Sequence, residues 1–322
     1  MVAAGGTPRP ALAERLGGAL LGLAAGDALG ATVEFCSAEE IRRRYGVHRD
    51  ISGGGAFGWR PGQGTDDTDL AYAVAATYAG PGYTLVGVAA AFSAWFDGRP
   101  CDVGGTTAAA LGELRRTGRP ELSGHAVAER ANSAGNGSLM RCLATGLARR
   151  DGRLRRIEAV EISAITHADR RCTQACVAYC DLASLLLDGV TPDHAVEEVL
   201  RSSAIGADVQ LAIAGAGELI GAELDTRGYA LATLQVGVWA LLQRRSLEEV
   251  LIEVANLGGD ADTTAAVAGG LLGARDGLGA IPARWADRLE HRDPMLALVP
   301  ALLAVRRQPE PSAAGGPCCK ES

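Results

Sequence analysis

The chain lacks most of what would place it in a membrane, on nucleic acid or in a β-architecture. Aromatic residues make up only 4% of its 322 positions, and strand-forming residues never gather into long alternating runs, which argues against an extended sheet. No apolar run approaches ~18 residues, so no transmembrane helix is expected. Met1–Pro10 has no charged region followed by an apolar one, so no secretory signal is expected. An excess of positive charge is also missing. The formal net charge of −7 disfavours non-specific binding to nucleic acid or to an anionic membrane. Eight cysteines are scattered without secretory features, which predicts reduced thiols and a cytoplasmic setting.

What the chain does have is glycine, alanine and a hydrophobic fraction of 48%, enough for a large core of closely packed helices. No solenoid-type repeat and no interdomain linker interrupts it. The expected architecture is all-α: a flexible N-terminus at 1–10, a single-domain helical bundle at 11–306 and a Pro/Gly/Ser-rich, disordered tail at 307–322.

Two stretches carry paired acids at a loop-to-helix boundary. Residues 257–272 read LGGDADTTAAVAGGLL, with Asp260, Asp262 and Thr263 ahead of a small apolar helix. Residues 62–76 read GQGTDDTDLAYAVAA, with Thr65, Asp66 and Asp67 in the same position. Asp and Thr cap free backbone N–H groups at helix starts, but one Asp suffices for a cap. If the two boundaries meet, each like-charge pair at about 4 Å costs roughly 4 kcal/mol at an effective dielectric near 20. Hard divalent cations relieve that repulsion. Oxygen-only ligands, with no His or Cys beside them in sequence, point to Mg²⁺ or Mn²⁺ rather than zinc or copper.

Other candidates lie along the chain. Residues 11–30 form a helix whose small residues permit tight packing, and Asp27 in its apolar run calls for a buried partner. Glu34, an acid in an apolar setting, reads as metal-facing or gating, against the bland alternative of a loop acid. Asp102 precedes Gly104, Gly105 and Thr106, where a carboxylate beside a Gly-Gly backbone suits an acid/base that faces substrate. The glycine-broken loop at 132–141, with Asn136, Gly137, Ser138, Met140 and Arg141, offers backbone N–H groups suited to phosphate or sugar, though Gly-Asn-Gly is equally a turn. His167 is more readily structural than catalytic, and Tyr229 reads most simply as a core aromatic. Cys172, Cys176 and Cys180 share one helix face and read as core packing rather than a soft-metal site.

Taken in order, GDALGATVEF (26–35), TDDT (65–68), CDVGGTT (101–107), AGNGSLMR (134–141), ITH (165–167) and GGDADTTAAVAGGLLGA (258–274) resemble the ADP-ribosylglycohydrolase family over about residues 11–290. Within it, GDALGATVEF, YGVHRDISGGG (45–55) and PCDVG (100–104) are most similar to the bacterial dinitrogenase reductase-activating branch. The resemblance implies an orthogonal helical bundle with two Mg²⁺ or Mn²⁺ ions at the bottom of a cleft. It assigns Thr65, Asp66, Asp67, Asp260, Asp262 and Thr263 to metal, and Glu34 to a ligating or gating acid. Asp102 becomes the acid that assists glycosidic cleavage. The 134–141 loop and His167 line the ADP-ribose site, and Tyr229 stands near its adenosine end.

The implied reaction is hydrolysis of the bond between ADP-ribose and a protein arginine. The branch further implies ADP-ribosylated dinitrogenase reductase as substrate protein, a PII-type signalling protein as regulator, and a monomer. Two alternatives stay open at this level. One is the same chemistry on serine-linked, nucleic-acid-linked or free ADP-ribose conjugates. The other is a non-catalytic ADP-ribose binder or structural relative, which would be expected to lack one of the acids.

Overall fold

A computed structural model describes residues 10–131 and 134–308. Of the ends expected to be flexible, 1–9 and 309–322 lie outside the described residues, as do Asn132 and Ser133 of the glycine-broken loop. Among the described residues the chain is all-helical, and β-structure is limited to the isolated bridges Ser37–Gly258, Gly54–Trp59 and Gly135–Tyr229.

The first half of the chain forms α1 (Leu12–Gly30), α2 (Ala38–Tyr45), α3 (Asp66–Ala79), α4 (Leu85–Asp97), α5 (Gly105–Thr117), α6 (Pro120–Ala131), α7 (Leu143–Ala148) and α8 (Gly152–Ala164). The second half adds α9 (Arg170–Leu187), α10 (Pro192–Leu200), α11 (Ala207–Gly215), α12 (Ala230–Leu242), α13 (Leu247–Ala255), α14 (Ala261–Asp276), α15 (Ala283–Ala286) and α16 (Arg292–Arg306). Starts follow local chemistry: Ser37 with Glu40 and Ser246 with Glu249 close capping boxes, and the Thr84 hydroxyl accepts from Gly87 N–H at 3.0 Å. The helix α6 escapes sequence reading because Gly124 sits in its middle and its apolar positions are few. It is held by tertiary contact instead: the Ser123 hydroxyl donates to the Ile165 carbonyl at 2.7 Å, and Gly124 lies against the 164–166 backbone.

At the centre, α1 and α14 pack backbone to backbone. A Cβ at Gly22 would overlap the carbonyl of Gly269, and one at Gly26 would overlap that of Ala265. Along the ladder 18 faces 273, 22 faces 269, 26 faces 265 and 30 faces 261, so the helices run antiparallel. The end of α1 is therefore brought to the start of α14. One apolar core surrounds the pair, running from Leu16 and Leu20 through Phe92, Leu143 and Tyr179 to Trp239, Trp285 and Leu302. Cys172, Cys176 and Cys180 are buried free thiols on α9. Their sulfurs donate to Gly135 O, Ser138 Oγ and Cys142 O, at 3.3, 3.4 and 3.2 Å, and so pack beneath the 134–142 segment.

Candidate functional site

Two of the three segments that build the site are helix starts. At the first, the Thr65 hydroxyl accepts from Asp67 N–H at 3.2 Å, which leaves the carboxylates of Asp66 and Asp67 unused by capping. Asp27, fully buried on α1, supplies the missing partner that its place in an apolar run demands. It accepts from Thr65 N–H at 3.0 Å, from Thr68 N–H at 3.1 Å and from the Thr68 hydroxyl. Thus α1 fixes the start of α3 from across the core.

At the second start, Asp260 stands at the cap position of α14 but makes no side-chain capping bond. The sequence predicted an acidic cap here; instead the Asp260 carboxylate accepts from Asn136 Nδ2 at 2.7 Å, and its backbone carbonyl takes the Thr264 hydroxyl at 2.6 Å. The two helix starts meet directly. The Thr263 hydroxyl donates to Asp67 Oδ1 at 3.2 Å, across 196 residues of sequence. Carboxylates in the first turns of α3 and α14 also face the positive ends of both helix dipoles.

The third segment follows α1. Phe35 N–H donates to the Gly259 carbonyl at 2.7 Å, and Gly259 N–H donates back to the Cys36 carbonyl at 2.9 Å, which ties Glu34 and Phe35 to the second acidic turn. As a result Glu34, Asp260 and Asp262 each bring a carboxylate oxygen within 4.8 Å of the others. Glu34 Oε2, Asp67 Oδ2 and Asp262 Oδ1 are buried without any hydrogen-bond partner. Buried anionic oxygens left unpaired are costly, and a set composed only of carboxylates, with threonine hydroxyls beside it, suits a hard divalent cation.

The electrostatics agree with the crowding. Burial, then Asp102, Asp260, Asp66 and Asp27, push the Glu34 carboxyl up to about 8. Burial also raises Asp27 to about 6, against the pull of its hydrogen bonds from Thr68 and Thr65. Asp66, Asp67 and Asp262 are held well above the ordinary carboxylate range, first by burial and then by one another and their acidic neighbours. Asp102 is raised by burial and, less, by Asp260.

These groups open onto a cavity of about 420 Å³, a size suited to a small-molecule ligand. Its walls include Glu34, Asp66, Asp102, Asp260, Asp262 and Thr263 on the acidic side. Gly104, Gly105, Thr106, Asn136, Gly137, Met140 and His167 bring the two glycine-containing loops to the same space. Burial, then the nearby Arg141 guanidinium, push the His167 imidazole down to about 3, so it is neutral at physiological pH. Its Nδ1 lies 2.7 Å from the Thr166 hydroxyl, which accepts from Arg141 at 2.6 Å.

Five sequence-predicted residues do not line this cavity. Ser138 is buried behind the loop, accepting from Ser163 and Cys176. Arg141 is wholly buried beneath it, donating to Gly137 O at 2.6 Å and lying over the Phe92 ring, with 4.6 Å from guanidinium carbon to centroid. It braces the loop rather than facing the opening. Tyr229 precedes α12, pairs with Gly135 and lies beside Arg171. Thr65 sits at the cap of α3, behind the wall and beside Asp67. Asp67, likewise absent from the wall, reaches the acidic set from below through Thr263. Sequence reading missed Phe35, Thr107, Gly135, Arg227, Gly228 and Gly259 in the wall. The motif boundaries hint at the glycines; nothing in the sequence marks Phe35 or Arg227 as facing the cavity.

The structure is an all-helical body in which buried carboxylates from two helix starts and the segment after α1 converge on one cleft. The model of the ADP-ribosylglycohydrolase family matches residues 8–312, and the chain belongs to that family. It is 33% identical over 289 residues to an ADP-ribosyl-[dinitrogen reductase] glycohydrolase of Rhodospirillum rubrum, covering 88% of this chain and 92% of that protein. It is also 33% identical to an ADP-ribosylarginine hydrolase Tri1 of Pseudomonas putida (strain GB-1), covering 88% and 76%. A solved ADP-ribosylglycohydrolase-related protein complex superimposes with a TM-score of 0.79 at 33% identity, over 91% of this chain and 98% of that one.

Proposed function

We propose that this protein hydrolyses the N-glycosidic bond between ADP-ribose and a protein arginine, reversing mono-ADP-ribosylation. The observation that carries the reading is the set of unpartnered, buried carboxylate oxygens contributed by Glu34, Asp67 and Asp262 from three separate segments. Such a set is a poor structural device and a good ligand shell. Glu34, Asp66, Asp67, Asp260, Asp262, Thr65 and Thr263 are the oxygen donors for two Mn²⁺ or Mg²⁺ ions. Bound there, the cations supply Lewis-acid polarisation of a ribose hydroxyl or a water.

The remaining steps belong to the chain. Gly104, Gly105, Thr106, Asn136, Gly137, Met140 and His167 bind and orient the ADP-ribose, with neutral His167 acting as a hydrogen-bonding group rather than an acid. Ser138 and Arg141 hold the 134–141 loop in shape, and Tyr229 anchors its edge. Water adds at ribose C1″ while the bond to the guanidino nitrogen breaks, and the departing arginine leaves as guanidinium. Asp102 moves the proton from the attacking water. It stands in the cavity wall, outside the close group of Glu34, Asp260 and Asp262. Glu34 serves as ligand and gate.

The narrower reading takes ADP-ribosylated dinitrogenase reductase as substrate protein, with a PII-type regulator and a cytoplasmic, monomeric enzyme. The Rhodospirillum relative supports it. The Pseudomonas relative, equally similar, supports the broader arginine linkage. The test is a panel of arginine-, serine- and DNA-linked ADP-ribose with Mn²⁺, Mg²⁺ or chelator. Release of ADP-ribose from the arginine linkage alone, lost with chelator, is expected; preference for another linkage would overturn the reading.

A further inference from the structure

One residue in the cavity wall runs against ordinary rules of placement. Phe35 is 66% exposed although it is a large apolar side chain, and its φ of +63° lies in the left-handed region that favours glycine. Only Arg99 shares that conformation among the described non-glycine residues. Non-glycine residues kept in this region cost of order 1–3 kcal/mol and cluster at ligand sites. Here the conformation is imposed by the paired backbone bonds between 35–36 and Gly259, the same bonds that set Glu34 against Asp260 and Asp262. The ring is therefore fixed one residue from the acidic group.

Its surroundings restrict what it can meet. Phe57 packs against it edge-on, with centroids 6.2 Å apart and planes at 64°, and Phe57 in turn meets the buried Trp59 at 5.7 Å. The ring is braced by Phe57, lines the cavity and stays largely exposed. The same wall carries Asp102, the carboxylate outside the assigned ligand set, so a negative charge that favours a cation remains in the cavity when the other acids hold metal. The one cationic side chain in the described wall, Arg227, forms a two-pronged pair with Asp225, while His167 is neutral. An aromatic face in a cavity that keeps one free carboxylate is suited to a planar guanidinium, which takes its charge balance from Asp102 and its stacking surface from the ring.

We infer that Phe35 is a specificity-determining residue that stacks on the guanidinium of the modified arginine and so selects arginine-linked over hydroxyl-linked ADP-ribose. This rests on the arginine-linkage reading above and goes beyond it by naming the group that recognises the leaving side. A serine linkage offers neither positive charge nor a planar face, so the ring contributes nothing to it.

The experiment uses the full chain with Mn²⁺ and ADP-ribosylagmatine, a guanidinium-linked small substrate, alongside ADP-ribose as competitive inhibitor. Phe35→Ala, Phe35→Leu and Phe35→Tyr are compared, with Phe35→Gly as a fourth variant that removes the ring and relieves the backbone. Phe35→Ala, Phe35→Leu and Phe35→Gly are expected to raise KM for ADP-ribosylagmatine about 5- to 20-fold. The inhibition constant for ADP-ribose stays within about twofold, and Phe35→Tyr keeps the wild-type KM within about twofold. A parallel rise in the ADP-ribose constant would place the ring on the nucleotide side and overturn the inference. So would an unchanged KM in Phe35→Ala and Phe35→Gly, or full function in Phe35→Leu. Failure of the wild-type protein to cleave ADP-ribosylagmatine at all would instead strike the arginine-linkage reading itself.

Discussion

Buried carboxylates with no partner separate function from stability at the level of single residues. Asp262 carries an unpaired, buried Oδ1, and its ionisation is opposed first by burial and then by Asp67, Asp260 and Glu34. Replacing it by Asn removes repulsion and ligand together. Metal-free Asp262→Asn is expected to melt at or above the wild-type temperature, while the rise produced by Mn²⁺ disappears; differential scanning calorimetry with and without Mn²⁺ checks both. Asp102→Asn separates proton transfer from metal retention. It is expected to lower kcat by about 10²- to 10⁴-fold while Mn²⁺ binding, read by calorimetric titration, persists. Loss of Mn²⁺ affinity in that variant would move Asp102 into the ligand set. Asp27, by contrast, works through backbone. Asp27→Ala orphans the N–H groups of Thr65 and Thr68, at about 1–3 kcal/mol each for a buried donor, and loosens the start of α3.

For the helices, the decisive feature is the α1–α14 ladder. Small residues at 18, 22, 26 and 30 announce close packing from sequence, but the partner at 261–273 and the antiparallel register do not follow from spacing alone. That register sets the 34–36 segment against the second acidic turn. Gly22→Ala would drive a methyl into the Gly269 carbonyl and is expected to cost about 1–3 kcal/mol by overpacking. It should also weaken Mn²⁺ binding, although residue 22 lies outside the described cavity wall. Gly112→Ala on α5 is the control: a Cβ there meets nothing within 4 Å, so the helix should gain up to about 1 kcal/mol. Thermal melts and Mn²⁺ titrations of the two variants give the comparison; equal behaviour would remove the ladder from the account of the site. The second acidic turn teaches a related lesson. Its residues fit a cap by composition, yet Asn136 captures the Asp260 side chain, and only folding brings residue 136 there.

For the whole molecule, the acidic centre makes stability depend on pH and on cations together. Glu34 is raised from 4.5 to about 8 and Asp27 from 3.8 to about 6, so the folded state binds protons more tightly than the unfolded one. The corresponding stability is fully present below about pH 4 and is lost as pH rises through 6 to 8. In chelator, the part of the melting temperature governed by these groups should therefore fall between pH 5 and pH 8. Mn²⁺ at a hundredfold excess over its dissociation constant would add about 2.7 kcal/mol, and should do so most visibly at pH 8, where protons no longer compensate. Melting curves at the two pH values, with and without Mn²⁺, test this; a metal-free protein equally stable at both would contradict it. Among the described residues no helix is long and apolar enough to cross a membrane, in line with the low apolar run length.

The sequence by itself determined the helical class, local starts such as the Ser246–Glu249 capping box, and the two acidic stretches, because each depends on residues within a few positions of one another. It also led to the expectation of oxygen donors, since no His or Cys stands beside those acids in sequence. Tertiary structure alone decided which carboxylates share a space, that Asp260 is not a cap, that Ser138 and Arg141 lie behind the loop, and that Phe35 faces the opening. Those outcomes follow from contacts spanning from tens to more than two hundred residues, where a backbone bond from 35 to 259 or a hydroxyl from 263 to 67 sets the geometry. Local propensity carries no information about such distances; the close approach of two glycine-bearing helices does.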